Sequence, residues 1–201
     1  EKAQKTYNYD YAGLVVKTTT TFAYTADALT SSVTTKLQDG LVKKSETVYT
    51  GNETEEKALK TYNYNFNGDA IKTVTSFFYT NDALSSSNTN RVDNVTAVMA
   101  DVTLGAMKSI TTYSGNETEE KALKTYNYNF NGDEIKTITG FTYANDALTS
   151  SVTNRAANVT GNTLDVTLGA KRSETFYTGN ETEEKAQKTY NYDYAGLVVK
   201  T

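Results

Sequence analysis

The chain is 201 residues long, with a formal net charge of −4, and it contains no Cys, His, Pro or Trp. Those absences exclude the common zinc and copper sites, a cysteine nucleophile, an imidazole base and any disulfide. The acidic balance argues against nucleic-acid binding through a basic face, and no apolar run approaches the ~18 residues of a membrane helix.

Thr, Tyr, Asn and Ser are the informative residue types, and they favour strands and turns over helices. Internal repetition organises them. Residues 51–73 recur at 115–137 with a single difference, Ala70 against Glu134, and a third copy opens at Gly179. The array therefore reads as a short repeat at 1–55, full repeats at 56–119 and 120–183, and the start of a further one at 184–201. Residues 1–18 and 184–201 are identical, so the expectation is a window of one 183-residue period cut from a longer chain. The nine residues missing from the short repeat lie before Tyr49, where the others carry Asn-Val-Thr and Asp-Val-Thr-Leu-Gly.

Within a full repeat the elements follow in order. Asn52–Leu59 offers a short N-capped helical turn, or else a loop leading into a charged strand. Lys60–Phe66 alternates, with Tyr62, Tyr64 and Phe66 expected on one face, as in a half-buried strand. Asn67-Gly68-Asp69 is a hairpin signal, because Asn-Gly tolerates positive φ at two successive residues. Ile71–Tyr79 is the return strand, and Asn81-Asp82 turns into a Ser/Thr-rich strand. Asn131-Gly132 and Asn145-Asp146 repeat the pattern. Tyr49, Tyr64 and Tyr79 stand 15 apart, which divides each full repeat into about four strand-turn-strand units and predicts tyrosine ladders between stacked copies.

The fold class expected is all-β: tandem-repeat, stacked strand-turn-strand units in an elongated spiral sheet or a β-solenoid-like fibre. An antiparallel spiral of hairpins and a parallel coil both fit, with the Asn-Gly turns favouring hairpins.

Tyr7-Asn-Tyr9-Asp10-Tyr-Ala-Gly13-Leu14, repeated at Tyr190–Leu197, resembles the YD repeat of Rhs-type proteins. Tyr62–Gly68 and Tyr126–Gly132 match with Asn in place of Asp, and Tyr24–Leu29 is a looser match. The resemblance implies hairpins wound into a spiral sheet on a large secreted or surface protein. The chain departs from that family in lacking an Arg after the Gly, in its shorter unit and in its nearly identical copies, which suit a straight fibre better than a closed shell.

Asn-x-Ser/Thr sequons at Asn52, Asn94, Asn116, Asn158 and Asn180 fall in phase with the repeats and are candidate N-glycosylation sites, or else products of an Asn- and Thr-rich repeat. Glu53, Glu55 and Glu56 form an acidic cluster that reads as a solvated, lysine-paired turn in preference to a Ca²⁺ loop. Every carboxylate loop is duplicated, which argues against a catalytic pair; no enzyme activity and no cofactor are expected. The function expected is a structural segment of an extracellular filament or fibrous surface appendage. It associates with neighbouring repeats or with copies of itself, carries glycans, and has neither nucleic acid nor membrane as partner. An adhesin stalk and an Rhs-type toxin shell are the alternatives.

Overall fold

The computed structural model describes residues 1–37 and 41–200. The chain forms two compact units, Glu1–Phe78 with Thr89–Gly105, and Tyr79–Asn88 with Ala106–Thr201. The first holds β1 (Lys5–Tyr9), β2 (Val16–Thr25), β3 (Ala28–Lys36), β4 (Val42–Thr50), β5 (Lys57–Tyr64), most of β6 (Ile71–Thr80) and the end of β7 (Ala83–Val92). The second holds the start of β7, nearly all of β8 (Leu104–Ser114), then β9 (Lys121–Tyr128), β10 (Ile135–Ala144), β11 (Ala147–Ala156), β12 (Leu168–Thr178), β13 (Lys185–Tyr192) and β14 (Val199–Lys200).

The protein is all-β, and within each unit neighbouring strands follow chain order. Pairing is antiparallel in both units. This is the hairpin alternative, not the parallel coil. Among the described residues there is no α-helix, only the 3₁₀ turn Met99–Asp101, and no helix long and apolar enough to cross a membrane. Each repeat supplies four strands, so its period of about 15 residues is one strand plus one turn.

Asn52–Glu56 is a loop, and the strand after it starts at Lys57, earlier than the alternation suggests. That strand also ends sooner, at Tyr64, and Phe66 stands in the following loop at 85 % exposure. The Asn-Gly pair is not the two-residue turn its sequence suggests. β5 and β6 are joined by the six residues Asn65–Ala70, in which only Gly68 has positive φ, at 75°. The two-residue turns with both φ positive are Ala26-Asp27, Asn81-Asp82 and Asn145-Asp146, the dihedral pattern whose twist matches that of the strands it joins.

Asx residues organise the longer loop. Asn65 Oδ1 accepts from the backbone N–H of Asp69 and Ala70, and Asp10, Asn129 and Asp193 do the same at their own copies. The glycine follows from where that loop lies. A Cβ on Gly68 would fall 2.7 Å from the backbone nitrogen of Lys43, and one on Gly132 2.4 Å from that of Met107. In the three later copies the Tyr-x-Tyr-Asx-x-x-Gly pattern is thus a clamped loop folded against the strand beyond its own hairpin.

Beside three of these loops the register slips by one residue, leaving Lys17, Lys72 or Lys136 unpaired in a bulge. The slip aligns Ile71 with Val74, three residues apart, on one face. With Tyr64 they form the buried cluster of the first unit, and Tyr126, Ile135 and Ile138 form that of the second. The nine extra residues of the full repeats lie in the β7–β8 and β11–β12 connections. They lie over these clusters, where Met99 and Val102 pack on the first and Val166 on the second.

The opposite face carries threonines. Thr20 pairs with Thr34, Thr47 with Thr61, Thr75 with Thr89, Thr111 with Thr125, Thr139 with Thr153 and Thr175 with Thr189, hydroxyl to hydroxyl at 2.8–2.9 Å. Each cross-strand pair is worth about 0.2–1 kcal/mol. Among the described residues equivalent tyrosines do not form ladders: β1 and β5, like β9 and β13, are separated by three strands. Threonine and backbone pairing, rather than stacked tyrosine, repeat across the sheet.

Candidate functional site

The conserved chemistry between copies gathers on the hairpin ends and on the covered face. Each Gly-Asn-Glu-Thr-Glu-Glu turn joins two strands and reaches the preceding two-residue turn. Glu56 Oε1 accepts from the N–H of Leu29 at 2.8 Å, Glu120 from Leu84 at 2.8 Å, and Glu184 from Leu148 at 3.0 Å. These glutamates open the successive repeats, so the same bond ties each repeat to the one before it. The N–H groups of Leu29 and Leu148 hold the carboxyls of Glu56 and Glu184 below the ordinary glutamate range.

Lysines add a second link. Lys2 Nζ lies 2.9 Å from Asp27 and 3.3 Å from Glu53; Lys121 Nζ lies 2.5 Å from Asp146 and 3.4 Å from Glu181. The hydrogen bond to Asp146 raises the Lys121 pKa above its usual value. The acidic turns are therefore spent on backbone donors and lysines. Among the described residues no group of three or more Asp and Glu stands together as a metal site. Sequence reasoning identified the acidic turn and its lysine pairing but missed the Leu N–H as its partner. The constant Glu-Lys pair at 1–2, 56–57, 120–121 and 184–185 was the available signal.

The covered face carries a polar trio in two of three copies. Glu46 Oε2 accepts from Lys43 Nζ at 2.8 Å and from the Tyr64 hydroxyl at 3.3 Å. Glu174 accepts from Lys171 at 2.8 Å and from Tyr192 at 3.2 Å. Bonding to Glu46 raises the Lys43 pKa, bonding to Glu174 raises that of Lys171, and Lys171 lowers that of Glu174. The middle copy has Met107 and Ile110 in their places, and its Tyr128 hydroxyl donates instead to the Gly161 carbonyl at 2.9 Å. Tyr49, Tyr113 and Tyr177 share hydroxyl bonds with Ser32, Ser87 and Ser151 at 3.1–3.2 Å.

The five sequons fall into two geometries. Asn94 and Asn158 clamp the long connections: each Nδ2 donates to a carbonyl, of Asp101 or Asp165, and each Oδ1 accepts the N–H of Thr103 or Thr167. Asn52, Asn116 and Asn180 are exposed at hairpin ends. There Nδ2 of Asn52 and Asn116 lies 3.5 Å from an oxygen of Glu55 and Glu119. Their sequon threonines, Thr54, Thr118 and Thr182, have φ of 70–73°, a region β-branched residues avoid.

A comparison with protein-family models and with curated proteins finds no match to either.

Proposed function

We propose that this chain is a structural segment of an extracellular filament or fibrous surface appendage, with no enzymatic role. The observation that supports it is the identical glutamate-to-backbone bond at all three junctions, Glu56–Leu29, Glu120–Leu84 and Glu184–Leu148. A repeat that carries its own coupling to the next extends by copying, and single-site chemistry has no place in it. On this reading the hairpins wind as an elongated spiral sheet, and copies of the chain associate with one another. Glycans, where the source attaches them, sit on Asn52, Asn116 and Asn180, which are exposed at hairpin ends, whereas carbonyls occupy the amide nitrogens of Asn94 and Asn158.

Negative-stain micrographs of the purified chain at rising concentration test this reading. Filaments with an axial period set by the repeat are expected. A chain that stays monomeric at high concentration, by sedimentation and by microscopy, overturns it. The Asx-clamped Tyr-x-Tyr-Asx-x-x-Gly hairpin favours a second reading, an Rhs-type shell segment or the stalk of an adhesin. Single closed particles in the same micrographs support that alternative.

A further inference from the structure

The short repeat differs from the full repeats by more than its missing loop. Where they have Asp69 and Asp133 it has Leu14; where they have Ala70 and Glu134 it has Val15. Leu37 stands in place of Val92 and Ala156, Leu41 in place of Gly105 and Gly169, and Val42 in place of Ala106 and Ala170. All five changes enlarge an apolar side chain or replace a polar one.

The result is a cleft of about 490 Å³ in the first unit, lined by Val15, Val16, Leu37, Val42 and Phe66, with Lys17 and Lys36 at its rim. Val15 and Leu37 are more than half exposed, and Leu14 and Leu41 beside them are 82 % exposed. Lys36 Nζ lies 3.4 Å from the centre of the Phe66 ring. Residues 38–40 lie outside the described residues.

The full repeats show what such a face takes. There the Asn-Val-Thr connection lies across it, its aliphatic side chains on the sheet and its Thr96 or Thr160 carbonyl accepting the N–H of Ile71 or Ile135. The same connections present unused aliphatic side chains outward: Val95 and Val98 on one, Val159 and Leu164 on the other. Each also carries an exposed aspartate, Asp101 or Asp165. Apolar tips flanked by carboxylates complement an apolar cleft flanked by lysines.

We propose that the cleft of the short repeat is a docking site for an Asn-Val-Thr connection of a second copy of this chain. The contact is heterologous, a different surface on each partner, and such contacts propagate as open assemblies when the rotation does not close. The inference rests on the reading of the chain as a self-associating fibre segment, and assigns that association to one surface.

The test is sedimentation velocity on the full chain against two double variants, with circular dichroism to verify the fold. Leu14→Asp/Leu41→Asp charges the cleft at exposed positions, one of which is already Asp in the full repeats. Val95→Asp/Val159→Asp charges the connections at exposed positions and leaves the Asn94 and Asn158 clamps intact. Each variant is expected to weaken association at least tenfold while the circular dichroism is unchanged. Wild-type association left intact by both variants overturns the assigned surface but not the fibre reading. Loss with the cleft variant alone overturns the assigned occupant. A wild-type chain that never associates overturns both readings.

Discussion

The trio Lys43–Glu46–Tyr64 and its apolar counterpart in the middle repeat make a prediction about stability that can be worked residue by residue. Lys43→Met removes one partner of the Glu46 carboxylate. A hydrogen bond to a charged group contributes about 1.5–3 kcal/mol, but the Lys43 side chain is 42 % exposed, and solvent screening lowers its share. The Glu46 side chain is only 11 % exposed and would keep the Tyr64 hydroxyl alone, so the single variant is expected to lose about 1–2 kcal/mol. Glu46→Ile leaves a lysine that turns to water and places an aliphatic group beside its register partners Tyr62 and Val33, so its loss is smaller, under about 1 kcal/mol. The double variant installs Met and Ile, the pair found at 107 and 110. Replacing both partners together leaves no unpaired carboxylate at the poorly exposed Glu46 position, so the double variant is expected to be near neutral. Tyr64 would retain the Ala97 carbonyl at 3.4 Å, as Tyr128 retains that of Gly161. Urea unfolding of the four proteins gives the coupling, expected at about 1 kcal/mol. A double variant that loses the sum of its singles refutes the reasoning, because the site would then not accept the apolar solution.

Gly132→Ala is expected to cost more than about 2 kcal/mol, since the added carbon meets the Met107 backbone, whereas Gly13→Ala at similar φ meets nothing within 4 Å and costs about 1–2 kcal/mol; equal losses on urea unfolding would contradict the close-approach argument. Asn129→Asp is expected to lose about 1 kcal/mol, because Asn129 Nδ2 donates to Asp133 Oδ1 at 2.6 Å and a carboxylate in its place would face another, whereas Asp10 and Asp193 make the same clamp beside Leu14 and Leu197; Asn129→Asp with Asp133→Leu is expected to be neutral within about 0.5 kcal/mol, with thermal melts ranking the two. Thr118→Asn is expected to stabilise by about 0.5–1 kcal/mol by relieving a β-branched residue at φ 72°, and no rise in melting temperature would count against the strain. Stability should also depend on pH at both ends. The carboxyls of Asp10, Glu56, Glu174, Glu184 and Asp193 lie below their ordinary ranges, so their contribution is complete above those ranges and is lost as pH falls through the depressed values. Lys43, Lys121 and Lys171 lie above theirs, so their contribution is complete below the ordinary lysine range and is lost as pH rises through the raised values. A urea midpoint flat across the acid limb would refute the first half.

The all-β class and the hairpin pairing were legible because alternation and turn residues are local signals. So was the position of the nine-residue difference, which the alignment of copies fixes. What escaped were features set by partners distant in sequence. Asn67-Gly68 has the composition of a tight turn, but the loop is wider because Asn65 clamps it and because Gly68 is needed against β4. The bulge at Lys72 breaks the period of two, so Ile71 and Val74 share a face that strict alternation assigns to opposite sides. Tyrosine spacing suggested ladders, yet a repeat of four strands sets equivalent side chains three strands apart. The glutamate bonds at the hairpin ends span 27 or 36 residues, beyond any local pattern.

Differences between copies carry more information here than their identity does. Where copies agree, as in the Asx clamp or the glutamate at each junction, duplication alone would explain the agreement. Where they differ, they differ in sets. Met107 and Ile110 replace a lysine and its glutamate together. The short repeat loses a covering loop and acquires Leu14, Val15, Leu37, Leu41 and Val42 around the face that loop covers elsewhere. The first set is the signature of a coupled pair, whose members change together. The second has the opposite sense for a free-standing sheet, since water-facing positions became more apolar just where cover was removed. A chain selected only for solubility would move toward Asp and Gly at those positions, as the full repeats do. That reversal is why the short repeat reads as a contact surface rather than a truncated copy.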